Sequence, residues 1–124
     1  MKKNEEAVLK YSQGLNCAQA VLSTFQRSCN ISEEEAVKIG AGLGSGMCSG
    51  DACGAVTSAV ILIGLKYGGQ SKEEKIAAIS KTKDFLNSFK EWGNSTNCIK
   101  LKKESGKTCL EIVKHSASLL ENIL

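Results

Sequence analysis

The sequence predicts an all-α fold, a compact single-domain bundle of five to seven helices around a buried central helix at about residues 52–67. Apolar residues recur at the spacing of one helical face along most of the chain, which is typical of helices packed on a common core. No segment shows the alternation of polar and apolar residues that marks a half-buried strand. Proline is absent, and 124 residues are an ordinary length for one domain. Residues 1–124 are therefore expected to form a single domain.

Helix starts are predicted from capping residues, whose side chains accept hydrogen bonds from the first free backbone N–H groups. Two starts also carry a glutamate three residues after a serine, the pattern of a capping box. These pairs are Ser32 with Glu35 and Ser71 with Glu74. In chain order, the predicted helices cover residues 4–13 and then begin behind Asn16, Ser32, Asp51, Ser71, Asn97 and Thr108.

The central helix follows a glycine-rich loop, residues 40–50, and is apolar on nearly every side between residues 55 and 65. A helix without a polar face has to be surrounded by other helices. Asp51 is expected to cap it, which places Cys53 in the first turn. There the free N–H groups and the helix dipole favour a negative charge, so the pKa of the Cys53 thiol is expected to be low.

Composition argues against two classes of partner. The net charge is only +3 and aromatic residues make up 5% of the chain, so nucleic-acid binding is not expected. No apolar run reaches 18 residues, so no membrane span is expected. The start Met1–Lys3 is followed by the polar residues Asn4–Glu6 rather than by an apolar segment. A secretion signal is therefore not expected, and the protein is predicted to be cytoplasmic, where thiols stay reduced.

Four of the six cysteines lie just behind a predicted capping residue. If these helices met by their N-termini, their partial positive charges would form a pocket that stabilises thiolates. Four thiolates are the usual ligand set for tetrahedral zinc or for an iron–sulfur cluster. The sequence contains no C-x2-C pair, so the ligands would come from four separate helix ends. The candidate metal ligands are Cys17, Cys53, Cys98 and Cys109.

Glycines near these cysteines are expected to let the backbone come close to a cofactor and point N–H groups at sulfur. The candidates for this role are Gly44, Gly46, Gly50 and Gly54.

The two remaining cysteines and the histidine are interpreted separately. Cys48 lies five residues before Cys53. It is interpreted as a resolving thiol for Cys53, a fifth ligand or a bystander, with no choice among the three. Cys29 falls on an apolar helical face and is expected in the core. His115, the only histidine, is expected to be a solvated helix residue.

Three segments together resemble a known family. They are Gly14–Val21, Cys53–Thr57 and Gly64–Gly68, and the chain is similar to the redox-active proteins named for a C…CGAxxG…C…C pattern. The likeness covers almost the whole chain and implies that the four family cysteines correspond to Cys17, Cys53, Cys98 and Cys109. Members are similar in part to split-Soret cytochromes, which implies an iron–sulfur site. The chain has no C-x-x-C-H sequence, so covalent haem is not expected.

The leading hypothesis is a redox protein whose four helix-terminal cysteines bind an iron–sulfur cluster or another thiophilic metal. It would serve electron transfer or redox sensing with an unidentified redox partner protein. The first alternative is a metal-free thiol–disulfide oxidoreductase with Cys53 as its nucleophile and Cys48 or another cysteine as its resolving thiol. The second alternative is a non-catalytic module with a structural zinc ion. Enzymatic activity and a homodimer sharing the pocket are both left open.

Overall fold

The protein is described by a computed structural model that covers residues 1–124. It contains seven α-helices and no strand, which confirms the predicted all-α class. No helix is both long enough and apolar enough to cross a membrane. The helices are α1 (Lys3–Ser12), α2 (Cys17–Phe25), α3 (Glu33–Gly40), α4 (Gly54–Tyr67), α5 (Lys72–Gly93), α6 (Cys98–Lys103) and α7 (Cys109–Ile123).

Side-chain caps begin five of these helices, each at a predicted position. In four of them, the third helical residue returns a hydrogen bond to the cap and completes a capping box, which satisfies two N–H groups that would otherwise be free. The short α6 has the cap alone. The caps are Asn16, Ser32, Ser71, Asn97 and Thr108.

The central helix α4 begins two residues later than predicted. Cys53 occupies its N-cap position, and Gly54 is the first helical residue. The prediction that Asp51 caps this helix is wrong, because the Asp51 carboxylate instead accepts a hydrogen bond from the Ser49 hydroxyl at 2.6 Å. The body of α4 packs against α2, α5 and α7, as expected for a helix without a polar face. Its last turn is exposed at Leu65.

The core is one cluster of 20 buried residues drawn from most of the helices. Phe85 and Phe89 of α5 are the largest of its completely buried side chains. Cys29 is also buried, and its thiol donates to the carbonyl of Leu62 at 3.5 Å. The core assignment of Cys29 is therefore confirmed.

His115 is not a solvated residue. Its ring stacks on Trp92 of α5, with centroids 4.2 Å apart, and its Nε2 atom is buried without a hydrogen-bond partner. Lys107 lies over the same Trp92 ring. Burial, followed by the charge of Lys107, lowers the pKa of His115. The spacing along α7 could not reveal this because the covering residue belongs to another helix.

Because the pKa of His115 is lowered in the folded protein, we expect the free energy of unfolding to fall in mild acid. The folded-state pKa of His115 lies below the unfolded value of about 6.5, so the unfolded chain takes up its proton first. The neutral His115 ring therefore makes its full contribution to the free energy of unfolding above about pH 6.5. This contribution is lost as the pH falls through the folded-state pKa of His115. His115→Phe keeps the stacking on Trp92 and should give a smaller loss between pH 7.5 and 5 in thermal unfolding. Equal losses in both proteins would contradict the burial of this imidazole.

Candidate cysteine site

Four cysteines from four parts of the chain line one cavity of about 460 Å³. They are the four that the sequence marks as candidate ligands, so the expected convergence in space is present. Their role as ligands stays a prediction. The other lining residues are Tyr11, Ser12, Gly14, Leu15, Asn16, Ser45, Lys102 and Ile112. No carboxylate or imidazole is among them.

Each of the four cysteines stands at a helix N-terminus. Three of them are first helical residues, in α2, α6 and α7, and Cys53 is the N-cap of α4. A helix N-terminus carries a partial positive charge of about half a unit. Four such ends therefore meet at the cavity, although the sulfurs lie at different depths. Cys53 and Cys98 are buried, whereas Cys17 and Cys109 are partly exposed.

A short backbone ladder holds the starts of α4 and α6 side by side. The N–H of Cys53 donates to the carbonyl of Thr96 at 2.8 Å, and the N–H of Cys98 donates to the carbonyl of Asp51 at 2.7 Å. Between them, Ala52 and Asn97 form an isolated antiparallel bridge. This ladder fixes the relative positions of two cysteines that are far apart in sequence.

Asn16 holds the glycine-rich loop against the start of α2. Its side-chain oxygen accepts from the N–H of Gln19 at 2.8 Å, and its amide nitrogen donates to the carbonyl of Gly40 at 3.1 Å. One residue therefore both caps the helix that carries Cys17 and anchors the loop beside the cavity.

The four candidate glycines contact protein atoms rather than the cavity. A Cβ atom at Gly54 would lie 2.7 Å from the sulfur of Cys17, and one at Gly46 would lie 2.9 Å from the Cβ of Cys98. Gly44 packs on Asn16 in the same way, and Gly50 on Ile99. None of the four glycines lines the cysteine cavity. The structure thus gives them a packing role beside the cysteines, and their contact with a cofactor stays a prediction.

Ser45 is the one residue of the loop that lines the cavity. Its backbone has φ +55°, a left-handed conformation that is uncommon outside glycine. Burial raises the pKa of Cys17, and the backbone N–H of Ser45 acts in the opposite direction because it stabilises the thiolate. Within the loop, the N–H group that acts on a cavity thiol therefore belongs to a serine and not to one of the four glycines.

The expectation of a low pKa at Cys53 is wrong. Cys53 is 4% exposed, and burial raises the pKa of its thiol to about 12, although the N–H groups of Ala55 and Val56 act in the opposite direction. The pKa of Cys17 is also raised, again mainly by burial. An apolar environment disfavours the charged thiolate more than these helix ends stabilise it.

Two functional candidates were missed in the sequence. The hydroxyl of Tyr11 and the ammonium group of Lys102 both line the cavity and interact with the thiol of Cys109. The interaction with Cys109 is the main reason why the pKa of Lys102 is raised. The pKa of Tyr11 is raised first by burial and then by Cys109. Lys102 lies one helical turn after Cys98, a spacing that places both on one face, whereas nothing in the sequence marks Tyr11.

Cys48 does not line the cysteine cavity. It is exposed, has φ +59°, and lies in a turn closed by a hydrogen bond from the N–H of Asp51 to the carbonyl of Gly46. It lines a second cavity together with Cys98. All six cysteines are free thiols, and no group of three or more His, Cys, Asp or Glu side chains is arranged to hold one metal ion.

Comparison with known proteins identifies the family. Residues 15–123 match the family described as "Putative redox-active protein (C_GCAxxG_C_C)". No curated protein and no solved structure matches the chain significantly. Because the family match spans nearly the whole chain and includes all four cavity cysteines, this chain belongs to the C_GCAxxG_C_C family of redox-active proteins.

Proposed function

We propose that Cys17, Cys53, Cys98 and Cys109 bind an iron–sulfur cluster or a related thiophilic metal centre that serves electron transfer or redox sensing. The observation that carries the proposal is the convergence of these four thiols, from four helix N-termini, on one cavity of about 460 Å³. The family description supports a redox role in general. The kind of centre is our inference from the geometry and chemistry of the cavity.

The donor set fits a thiophilic centre. Thiolates are soft ligands that select iron–sulfur clusters, zinc or copper(I) over hard cations, and no carboxylate competes with them among the lining residues. The cluster would supply reversible one-electron transfer. The chain itself would hold the cluster on four helix ends and exclude water from Cys53, the most deeply buried of the four thiols.

The arrangement of the thiols favours a cluster over one ion. A zinc ion holds four thiolates about 2.3 Å from a shared centre, and no three candidate side chains here are arranged around one metal. The four thiolates of an iron–sulfur cluster bind two iron atoms in a [2Fe–2S] cluster or four in a [4Fe–4S] cluster, so they do not all surround one centre and can stand farther apart. A structural zinc ion would need a larger rearrangement of the cavity.

Polar groups around the cavity would adjust the properties of the centre. The N–H of Ser45 would stabilise the thiolate of Cys17, and those of Ala55 and Val56 would stabilise the thiolate of Cys53. Hydrogen bonds to sulfur are a known determinant of cluster potential. The ammonium group of Lys102 beside Cys109 would offset part of the negative charge of the four thiolates.

A metal-free dithiol mechanism with Cys53 and Cys48 is less well supported. Cys53 is almost inaccessible, and its raised pKa leaves little thiolate at neutral pH. Cys48 lines a different cavity. The nucleophile and the resolving thiol of that mechanism are therefore not presented to one another or to a substrate.

The test is the metal and sulfide content of protein purified without oxygen. We expect charge-transfer absorption in the visible region, together with iron and acid-labile sulfide. Alanine at any of the four cavity cysteines should lower the bound iron about tenfold or more. Cys29→Ala and Cys48→Ser are matched controls outside the cavity and should retain the iron.

Two results would contradict the proposal. One is colourless protein without metal, in which a reversible dithiol couple would instead favour the oxidoreductase. The other is stoichiometric zinc without sulfide, whose removal by a chelator lowers the melting temperature, because a structural metal contributes folding free energy.

A further inference from the structure

A second cavity lies beside the cysteine site and has different chemistry. Its volume is about 390 Å³, and it is formed by the second half of the glycine-rich loop and by α6. Two thiols line it: Cys48, which is exposed, and Cys98, which also lines the first cavity. Neither the family pattern nor the proposed metal centre gives Cys48 a role.

The remaining lining residues favour an anionic ligand. Lys102 and Lys103 both line this cavity, both are exposed, and no acidic residue is among its lining. The three ion pairs of the protein lie elsewhere, in α1 and α3, so the two ammonium groups are not neutralised by carboxylates. Two cations beside an accessible thiol attract anionic reactants and raise their local concentration.

We propose that this second cavity binds an anionic low-molecular-weight disulfide, which modifies Cys48 and is then displaced by Cys98. The ligand class follows from the chemistry of the lining: thiols react with disulfides, and lysines bind carboxylates. Cys48 is the attacking group because it is exposed, and Cys98 is the resolving group because it lines the same cavity from α6.

The reaction is a pair of thiol–disulfide exchanges. The Cys48 thiolate attacks one sulfur of the disulfide RSSR, a bond forms to that sulfur, the S–S bond breaks, and one RS⁻ leaves and takes up a proton. The Cys98 thiolate then attacks the Cys48 sulfur and releases the second RS⁻. In total, two protein thiols are oxidised to the Cys48–Cys98 disulfide and one RSSR is reduced to two RSH. This chemistry goes beyond the proposed metal centre and would withdraw one of its ligands.

The test uses the full-length chain, reduced and freed of metal with a chelator under nitrogen, with unchanged helical content by circular dichroism. It is mixed with glutathione disulfide, which is anionic, with neutral hydroxyethyl disulfide or with cationic cystamine. Adducts and disulfides are then followed by peptide mass spectrometry. We expect a transient glutathionyl adduct on Cys48 that converts to the Cys48–Cys98 disulfide. Cys98→Ser should accumulate the adduct, and Cys48→Ser should form neither product.

Charge selectivity distinguishes a binding site from an exposed thiol. The rate of each reagent with Cys48 is divided by its rate with a free thiol. This normalised rate should be highest for glutathione disulfide and lowest for cystamine. Lys103→Gln should slow glutathione disulfide roughly threefold at low salt, whereas Lys75→Gln, an exposed lysine on α5, should have no effect. Equal normalised rates for the three reagents would overturn the proposal. So would an adduct that persists on Cys48 in the native chain. Neither result bears on whether the first cavity binds a metal.

Discussion

Cys53 in the folded, metal-free chain is expected to react with iodoacetamide about 1,000-fold more slowly than Cys53 in the unfolded chain at pH 8. Alkylation requires the thiolate. A pKa of about 12 leaves only a minute thiolate fraction at this pH, whereas an unfolded thiol with a pKa near 8.5 is substantially ionised. The side chain of Cys53 is only 4% exposed, which also hinders access of the reagent. The low thiolate fraction and the low exposure therefore both slow alkylation.

Quenched alkylation followed by peptide mass spectrometry measures this rate for each cysteine separately. Exposed Cys48 is the internal standard for a reactive thiol. Cys48→Ser should remove the fast phase of labelling, and Cys53→Ser should leave it unchanged. Labelling of Cys53 as fast as that of Cys48 would contradict its burial and restore Cys53 as the nucleophile of a dithiol mechanism.

The sequence led to the expectation of a low pKa for Cys53 because only the effect of the helix N-terminus was considered, and not the effect of burial. The helix N-terminus was expected to favour a thiolate, and such effects are worth about 0.3–1 kcal/mol, or up to about 2 in partly buried sites. A change of the thiol pKa from 9 to about 12 corresponds to about 4 kcal/mol. Burial therefore outweighs the dipole, and burial could not be predicted without knowing which helices cover Cys53.

Local signals predicted most of the helical framework. Capping depends on residues three positions apart, so Ser32, Ser71 and Thr108 could be recognised in the sequence and were found as caps. The same signal marked the cysteines that follow Asn16 and Asn97, because both are caps as well. For this reason three of the four candidate ligands, Cys17, Cys98 and Cys109, were identified from helix caps that the structure confirms. Cys53 was selected through Asp51, which is not a cap, although Cys53 lines the same cavity.

Features that depend on distant segments were not predictable. Asp51 has the side chain of a helix cap, but its backbone carbonyl accepts a hydrogen bond from the N–H of Cys98. Its carboxylate accepts one from the hydroxyl of Ser49. Likewise, nothing near His115 in the sequence indicates that Trp92 covers it. For the Asp51 backbone and for the His115 ring, a partner more than 20 residues away along the chain decides the environment.

Raised thiol pKa values have a consequence for metal binding. Thiols bind metals as thiolates, so Cys17 and Cys53 would have to release protons as a centre assembles. The N–H groups of Ser45, Ala55 and Val56 and the ammonium group of Lys102 would then stabilise the thiolates in the metal-bound state. In the absence of metal, these polar groups are too weak to overcome the effect of burial on the pKa values of Cys17 and Cys53.

Gly54→Ala is expected to destabilise the protein by about 1–3 kcal/mol, the usual cost of overpacking a closely packed site. The added methyl group would lie 2.7 Å from the sulfur of Cys17 and 2.8 Å from the carbonyl oxygen of Leu43. The carbonyl belongs to the backbone and cannot turn away as a flexible side chain would. We therefore expect Cys17 to be displaced from the cavity, so that metal content falls together with stability.

Gly64→Ala is the matched control, because it makes the same change in the same helix at a position with no atom within 4 Å of the new Cβ. There the loss of glycine flexibility should stabilise the protein by about 0.5–1 kcal/mol. Urea unfolding midpoints for the two variants should therefore move in opposite directions from that of the native chain. If Gly54→Ala stabilised the protein as much as Gly64→Ala does, the sulfur of Cys17 would not lie against α4, and the four thiols would not share one cavity.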